Sequence, residues 1–154
     1  MLKDKIRIYW AYTVELVATS TILVALSLWF DCSVVISFVR EVALDLATLF
    51  CAVMLAASLG FLWTFYSKSD TDFYRWLDTR GAFRVYLSAT AYSVGVSVIS
   101  TLTLVMLRKI TDQTFALFST FMLILAVINL ITLVRNVIDL MLLNAKFNQK
   151  RSDT

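Results

Sequence analysis

The chain has 154 residues, 60% of them hydrophobic and 16% charged, with a net charge of +3, three glycines and neither proline nor histidine. About a quarter of an ordinary soluble domain is charged, and a fold this small cannot hide so much apolar side chain, so a soluble globular domain is excluded. The absence of histidine removes the commonest metal ligand and general base, and no Gly-rich phosphate loop is present, so nothing points to an enzyme, a cofactor or a metal.

Four stretches reach the roughly 20 residues that cross a hydrocarbon core: 8–30, 42–66, 85–107 and 115–134. The expected fold is an all-α polytopic membrane protein, one transmembrane domain over 1–154 arranged as a four-helix bundle. The first span is too long for a cleavable signal peptide, and Trp29, Phe30 and Asp31 make a poor cleavage site. Roughly two turns into it stands Glu15. The second span carries Cys51, 19 residues after Cys32, a spacing that argues against a disulfide or a metal site. It also carries small residues at i+4 spacing: Thr48, Ala52, Ala56, Gly60 and Thr64. Small side chains let helices approach closely in lipid, where no hydrophobic force drives them together. The third span has a matching ridge at Ala89, Ser93, Ser97 and Thr101, so the two spans are expected to pack along these ridges. All four spans read as continuous helices.

Residues 67–84 form the central loop. Between Asp70, an expected N-cap, and Gly81, an expected C-cap, Phe73, Trp76 and Leu77 share a helical face. An amphipathic helix at the membrane surface is expected, and Phe73, Arg75, Trp76, Arg80 and Arg84 are candidates for docking a cytosolic protein. In the fourth span Asn129, Arg135 and Asp139 interrupt the apolar run, and 135–154 continue as a helical extension and tail. Ionisable groups inside a membrane are costly and are functional candidates by default. Arg135 and Asp139 stand four residues apart on one helix, and Glu15 lies at similar depth. The expectation is a Glu15–Arg135–Asp139 cluster extended by Asn129. Asp45, near the other face, is expected to pair with Arg40, Arg108 or Lys109.

Lys3, Lys5 and Arg7, the four central-loop cations (Lys68, Arg75, Arg80, Arg84), and Lys146, Lys150 and Arg151 put ten charges on one side. Arg40, Arg108 and Lys109 put three on the other. The positive-inside rule then places both termini and the central loop in the cytoplasm. The partners expected are membrane lipids and further copies of the chain, since four spans enclose little space; nucleic acid is not expected.

The glutamate in VELVATS resembles that of the small multidrug-resistance transporters, four-span proteins whose first-helix glutamate exchanges protons for cationic drugs. Over residues 42–135, the succession ASLGFLWTFYSKS, FYRWLDTRGAFRVYL and SATAYSVGVSVIS resembles in layout the small four-span proteins of bacterial anti-phage systems. Examples are the RexB exclusion protein and the KwaA membrane subunit of Kiwa. That second resemblance implies a non-enzymatic, oligomeric subunit of the bacterial inner membrane that senses infection or perturbs the membrane with a cytosolic partner. It carries over no residue's role. The functional alternatives are a small proton-coupled transporter using Glu15 and an immunity protein against a pore-forming toxin.

Overall fold

The computed structural model describes the backbone of residues 2–152 and the side chains of 10, 12–49 and 53–150. The elements are α1 (Leu2–Trp29), α2 (Cys32–Phe50), α3 (Ala56–Lys68), α4 (Asp72–Thr79), α5 (Ala82–Leu107) and α6 (Gln113–Ser152). A π-helical turn, Cys51–Leu55, joins α2 to α3. α1, the α2–α3 run, α5 and α6 are long and apolar enough to cross a membrane, and leucines, valines and isoleucines stay exposed along them, as lipid-facing helices require.

The second helical run begins at Cys32, ten residues before the expected span. Only Phe30 and Asp31 separate it from α1, and with neither glycine nor proline between 32 and 50 nothing stops the helix once it starts. Arg40 therefore sits within α2. Its guanidinium Nη2 donates to the carbonyls of Ile110 (3.2 Å) and Asp112 (3.5 Å), tying α2 to the α5–α6 connection, while Asp45 is exposed. Asp112 in turn caps α6: its Oδ2 accepts the Phe115 backbone N–H at 2.8 Å. The π-helical turn is a departure from the expected continuous second span.

α4 lies where an amphipathic helix was expected, with a different cap and a different neighbour. Thr71, extended at φ −75° and ψ 151°, is its N-cap rather than Asp70. Gly81, at φ +71°, ends it in the left-handed region that L side chains avoid, and leads straight into α5. The face bearing Phe73, Tyr74 and Leu77 is buried against Phe65 of α3 and Leu140 of α6, with Phe147 stacked edge-on to Phe73. Protein, not lipid, covers this face.

α5 is the central helix, packed against α6, α2 and α3, while α1 packs chiefly on α6. Ala43 and Ala47 of α2 and Ala116 of α6 meet Leu104 and Leu107 in one dry cluster, and Met54, Val96, Leu125 and Ala126 form a second. Several hydroxyls of α5 return to their own helix: Ser97 donates to the Ser93 carbonyl (2.7 Å), Thr101 to that of Ser97 (2.8 Å) and Thr103 to that of Ser100 (3.0 Å), while the buried Ser100 Oγ has no partner among the described residues.

The expected pairing of ridges holds on one side only. Ser93 and Ser97 are buried and Ala89 and Thr101 half-buried, but Thr48, Ala56 and Gly60 of the second run are exposed; the side chain of Ala52 lies outside the described residues. α5 is met instead by Ala43, Ala47, Met54, Ser58 and Phe65. Those five alternate steps of four and seven residues, about 3.7 per turn, and keep one face, whereas a ridge stepping by four drifts around a helix of 3.6 residues per turn.

Candidate functional site

α1 contributes Tyr12, Glu15 and Thr19, which repeat at three and four residues and so share one face. The face turns toward α6, because the opposite side of α1, with Val14, Val17 and Val24, is exposed and apolar. Thr19 satisfies its own hydroxyl on the Glu15 carbonyl at 2.7 Å. α6 contributes a polar stripe at the same kind of spacing, Asn129, Thr132, Asn136 and Asp139. α5 brings Ser93 and Tyr92, and the junction between α4 and α5 brings Arg80 and Gly81.

These faces enclose a cavity of about 390 Å³. Along α5 its lining runs from Ala82 to Ser93, about 17 Å at 1.5 Å per residue. Glu15 and Asn129 mark one end, beside Ser93, and Arg80 and Asp139 the other. At the Glu15 end, Asn129 Nδ2 donates to Glu15 Oε2 at 3.2 Å, with the glutamate 7% and the asparagine 3% exposed. Asn129 Oδ1 is buried and finds no hydrogen-bond donor among the described residues. Tyr12 and Tyr92 stack beside the pair, their ring centroids 4.3 Å apart at 32°. At the other end the Arg80 guanidinium lies over the Trp76 ring, 4.6 Å from its centroid.

No family model matches this chain. No characterised protein sequence and no solved structure matches it either. What the site does must therefore be argued from its own chemistry.

The expected polar cluster is in part assembled and in part corrected. Glu15, Asn129 and Asp139 line one cavity, but Glu15 takes Asn129 as its partner, while Arg135 is exposed and lies outside the lining. Residues four apart on a helix need not point into the same space, and only the Asp139 side of α6 faces the cavity. The docking set is redistributed too. Phe73 is buried and Trp76 half-buried within the protein's own aromatic cluster, Arg80 lines the cavity, and Arg75 and Arg84 are exposed. Tyr12, Tyr92 and Asn136 were not anticipated. Their signal was the spacing: Tyr12 stands one turn before Glu15, and Asn136 two turns after Asn129.

The Glu15–Asn129 hydrogen bond ties α1 to α6 at the wall of the cavity, which leaves the carboxylate beside whatever space the cavity offers. Among the described residues no group of three metal-ligating side chains gathers.

Proposed function

We propose that this chain is a small, non-enzymatic, proton-coupled transporter of the bacterial inner membrane, with Glu15 as the coupling residue and both termini in the cytoplasm. One observation carries the proposal: a glutamate 7% exposed inside a membrane-spanning helix, held by the Asn129 amide at the inner end of a solute-sized cavity. Burying a charge in such a place is expensive, so it is kept where it works. The titratable and charged groups around it are Tyr12 on its own helix, Tyr86 and Tyr92 on α5, Asp139 on α6 and Arg80 before α5. Its protonation and the occupancy of the cavity are then coupled, because one carboxylate serves both. The π-helical turn between α2 and α3 supplies a packing irregularity at which one span can shift.

The test uses proteoliposomes with an entrapped pH dye, an imposed membrane potential and a panel of organic solutes at equal concentration on both faces. At least one solute should drive a proton flux that Glu15→Gln abolishes while the variant still elutes as folded protein. If no solute evokes a Glu15-dependent flux, the transport reading fails.

A second reading has its own support. α4 and the far end of α6 build an aromatic knob that leaves Arg75 and Arg84 exposed together with Asp72 and Asp78, a surface of mixed charge open to a cytosolic protein. On this reading the chain is a homo-oligomeric inner-membrane subunit of an anti-phage system. Native purification from membranes should then yield a soluble protein at fixed stoichiometry on a multimer, lost on joint Arg75→Ala and Arg84→Ala substitution. A bare protein with no such partner would favour the transporter.

A further inference from the structure

We propose that the groove between α3 and α6 is a binding site for one anionic phospholipid, with an acyl chain lying in the groove and the phosphate on Lys68. The groove shares no lining residue with the Glu15 cavity, and its occupancy does not depend on transport. α3 lines it with Phe61, Thr64, Phe65 and Lys68, which stand at i, i+3, i+4 and i+7 and so form one helical face. α6 lines it with Val137, Leu140, Met141 and Asn144, at the same four spacings. Both helices run antiparallel to α5, and therefore parallel to each other. Each packs on α5 rather than on the other, so two matching faces stand opposite one another without closing up.

Phe65 and Leu140 meet at the bottom with Phe73 and Tyr74 of α4, and above them a space of about 150 Å³ stays open. An apolar cavity of that size holds a benzene ring, so a segment of an acyl chain fits it. A partner helix, roughly 10–12 Å across, does not.

Polarity changes along the groove in one direction. Phe61 and Val137 make one end apolar, and Lys68 and Asn144 stand seven residues further on, about 10 Å at 1.5 Å per residue. Lys68 brings a positive charge, and among the described lining residues there is no acid to meet it. Asn144 Oδ1 accepts from Asn148 Nδ2 at 3.5 Å, which leaves the Asn144 Nδ2 to donate outward. Trp63 and Tyr66 are exposed beside this end with ring centroids 5.7 Å apart, as side chains at the headgroup level of a bilayer are. The groove thus follows the order of a phospholipid, hydrocarbon inward and an anion-accepting end at the interface. A zwitterionic headgroup would bring its own cation beside Lys68 with no lining acid to receive it. An anionic headgroup brings the charge that the lysine lacks.

The experiment is native mass spectrometry of the full chain, stripped of lipid in mild detergent and titrated with phosphatidylglycerol or phosphatidylcholine of identical acyl chains. The wild type should take up a first phosphatidylglycerol about fivefold or more tighter than the first phosphatidylcholine, as expected for one lysine at a headgroup. Lys68→Gln should erase that preference, Val137→Trp should weaken the first binding of both lipids, and Lys146→Gln, at an exposed position outside the groove, should change neither. Equal affinities of the two lipids for the wild type, or uptake with no distinct first molecule, overturns the assignment without relying on any variant folding. Equal losses in Lys68→Gln and Lys146→Gln overturn it in favour of diffuse surface charge. Displacement of the first phosphatidylglycerol by millimolar glycerol 3-phosphate overturns it in favour of a phosphate site with no acyl chain.

Discussion

The two ends of the α5–α6 pair are built from the same two helices and packed in opposite ways. From Val96 to Leu107, α5 faces Ala116, Ser119 and Thr120 of α6, and all of these are buried. The small side chains let the backbones close up, to the point that the Ser119 hydroxyl reaches the Thr103 carbonyl across the interface at 3.4 Å. From Ala82 to Ser93 the facing side chains include Tyr86, Tyr92, Leu133 and Asn136, and the helices enclose the cavity. Side-chain size along one helix pair thus sets where the protein is close-packed scaffold and where it is site.

The contrast can be broken most severely at its polar end. Glu15→Gln is expected to remove solute-linked proton flux entirely with the helical circular dichroism retained; persistent flux in that variant would assign the coupling elsewhere. Next comes the support beneath the cavity mouth. Leu77 has no exposure, and Leu77→Ala should cost about 2–5 kcal/mol of local packing, releasing α4 and opening Arg75 and Arg80 to trypsin. Cleavage at wild-type rates would show that α4 is held by other contacts.

The close-packed end should resist enlargement. Ala116 is fully buried against α5, and Ala116→Leu is expected to destabilise the protein by about 1–3 kcal/mol through overpacking, read as a lowered midpoint in detergent unfolding. The same change at exposed Ala56 should leave the midpoint in place, and equal losses at both sites would contradict the assignment of faces.

Two smaller effects sharpen the picture at the α4 end. Burial pushes the Tyr74 phenol above its ordinary value of 10.0. The folded protein thus holds that proton more tightly than the unfolded chain. The stabilisation is complete below pH 10 and is lost as pH rises through the folded value. Comparison of wild type with Tyr74→Phe by tyrosinate absorbance and thermal unfolding above pH 10 should show a steeper decline in the wild type. Arg135→Ala, at an exposed position outside the cavity, is expected to change stability by no more than about 0.5 kcal/mol. A large loss there would restore the ion-pair cluster that the spacing alone suggested.

Much of this architecture was legible along the chain. Four apolar stretches of spanning length require helices, because only a helix satisfies its own backbone hydrogen bonds in lipid. A glycine after DTR marks the end of α4 through local chemistry that needs no tertiary partner. Glu15 and Asn129 stood out for a similar reason, since a polar group in an apolar helix is conspicuous whatever surrounds it. What the pattern could not supply was the identity of the neighbours. The i+4 ridge from Thr48 to Gly60 was more regular than the face that α5 covers, yet Thr48, Ala56 and Gly60 are left exposed. Likewise Arg135 stood within reach of Asp139 by spacing, but the two do not share the cavity.

Composition and periodicity act within a few residues, so the helical class, the four spanning runs and the residues too polar for lipid were readable locally, while the start of α2 at Cys32 and the cap of α4 at Thr71 were not. Which face of each helix meets which neighbour depends on the shape match of surfaces more than a hundred residues apart, as with Glu15 and Asn129. Packing settles those choices, because helices in lipid are selected by close packing and hydrogen bonding between particular side chains, with no general hydrophobic force to announce the contact in advance.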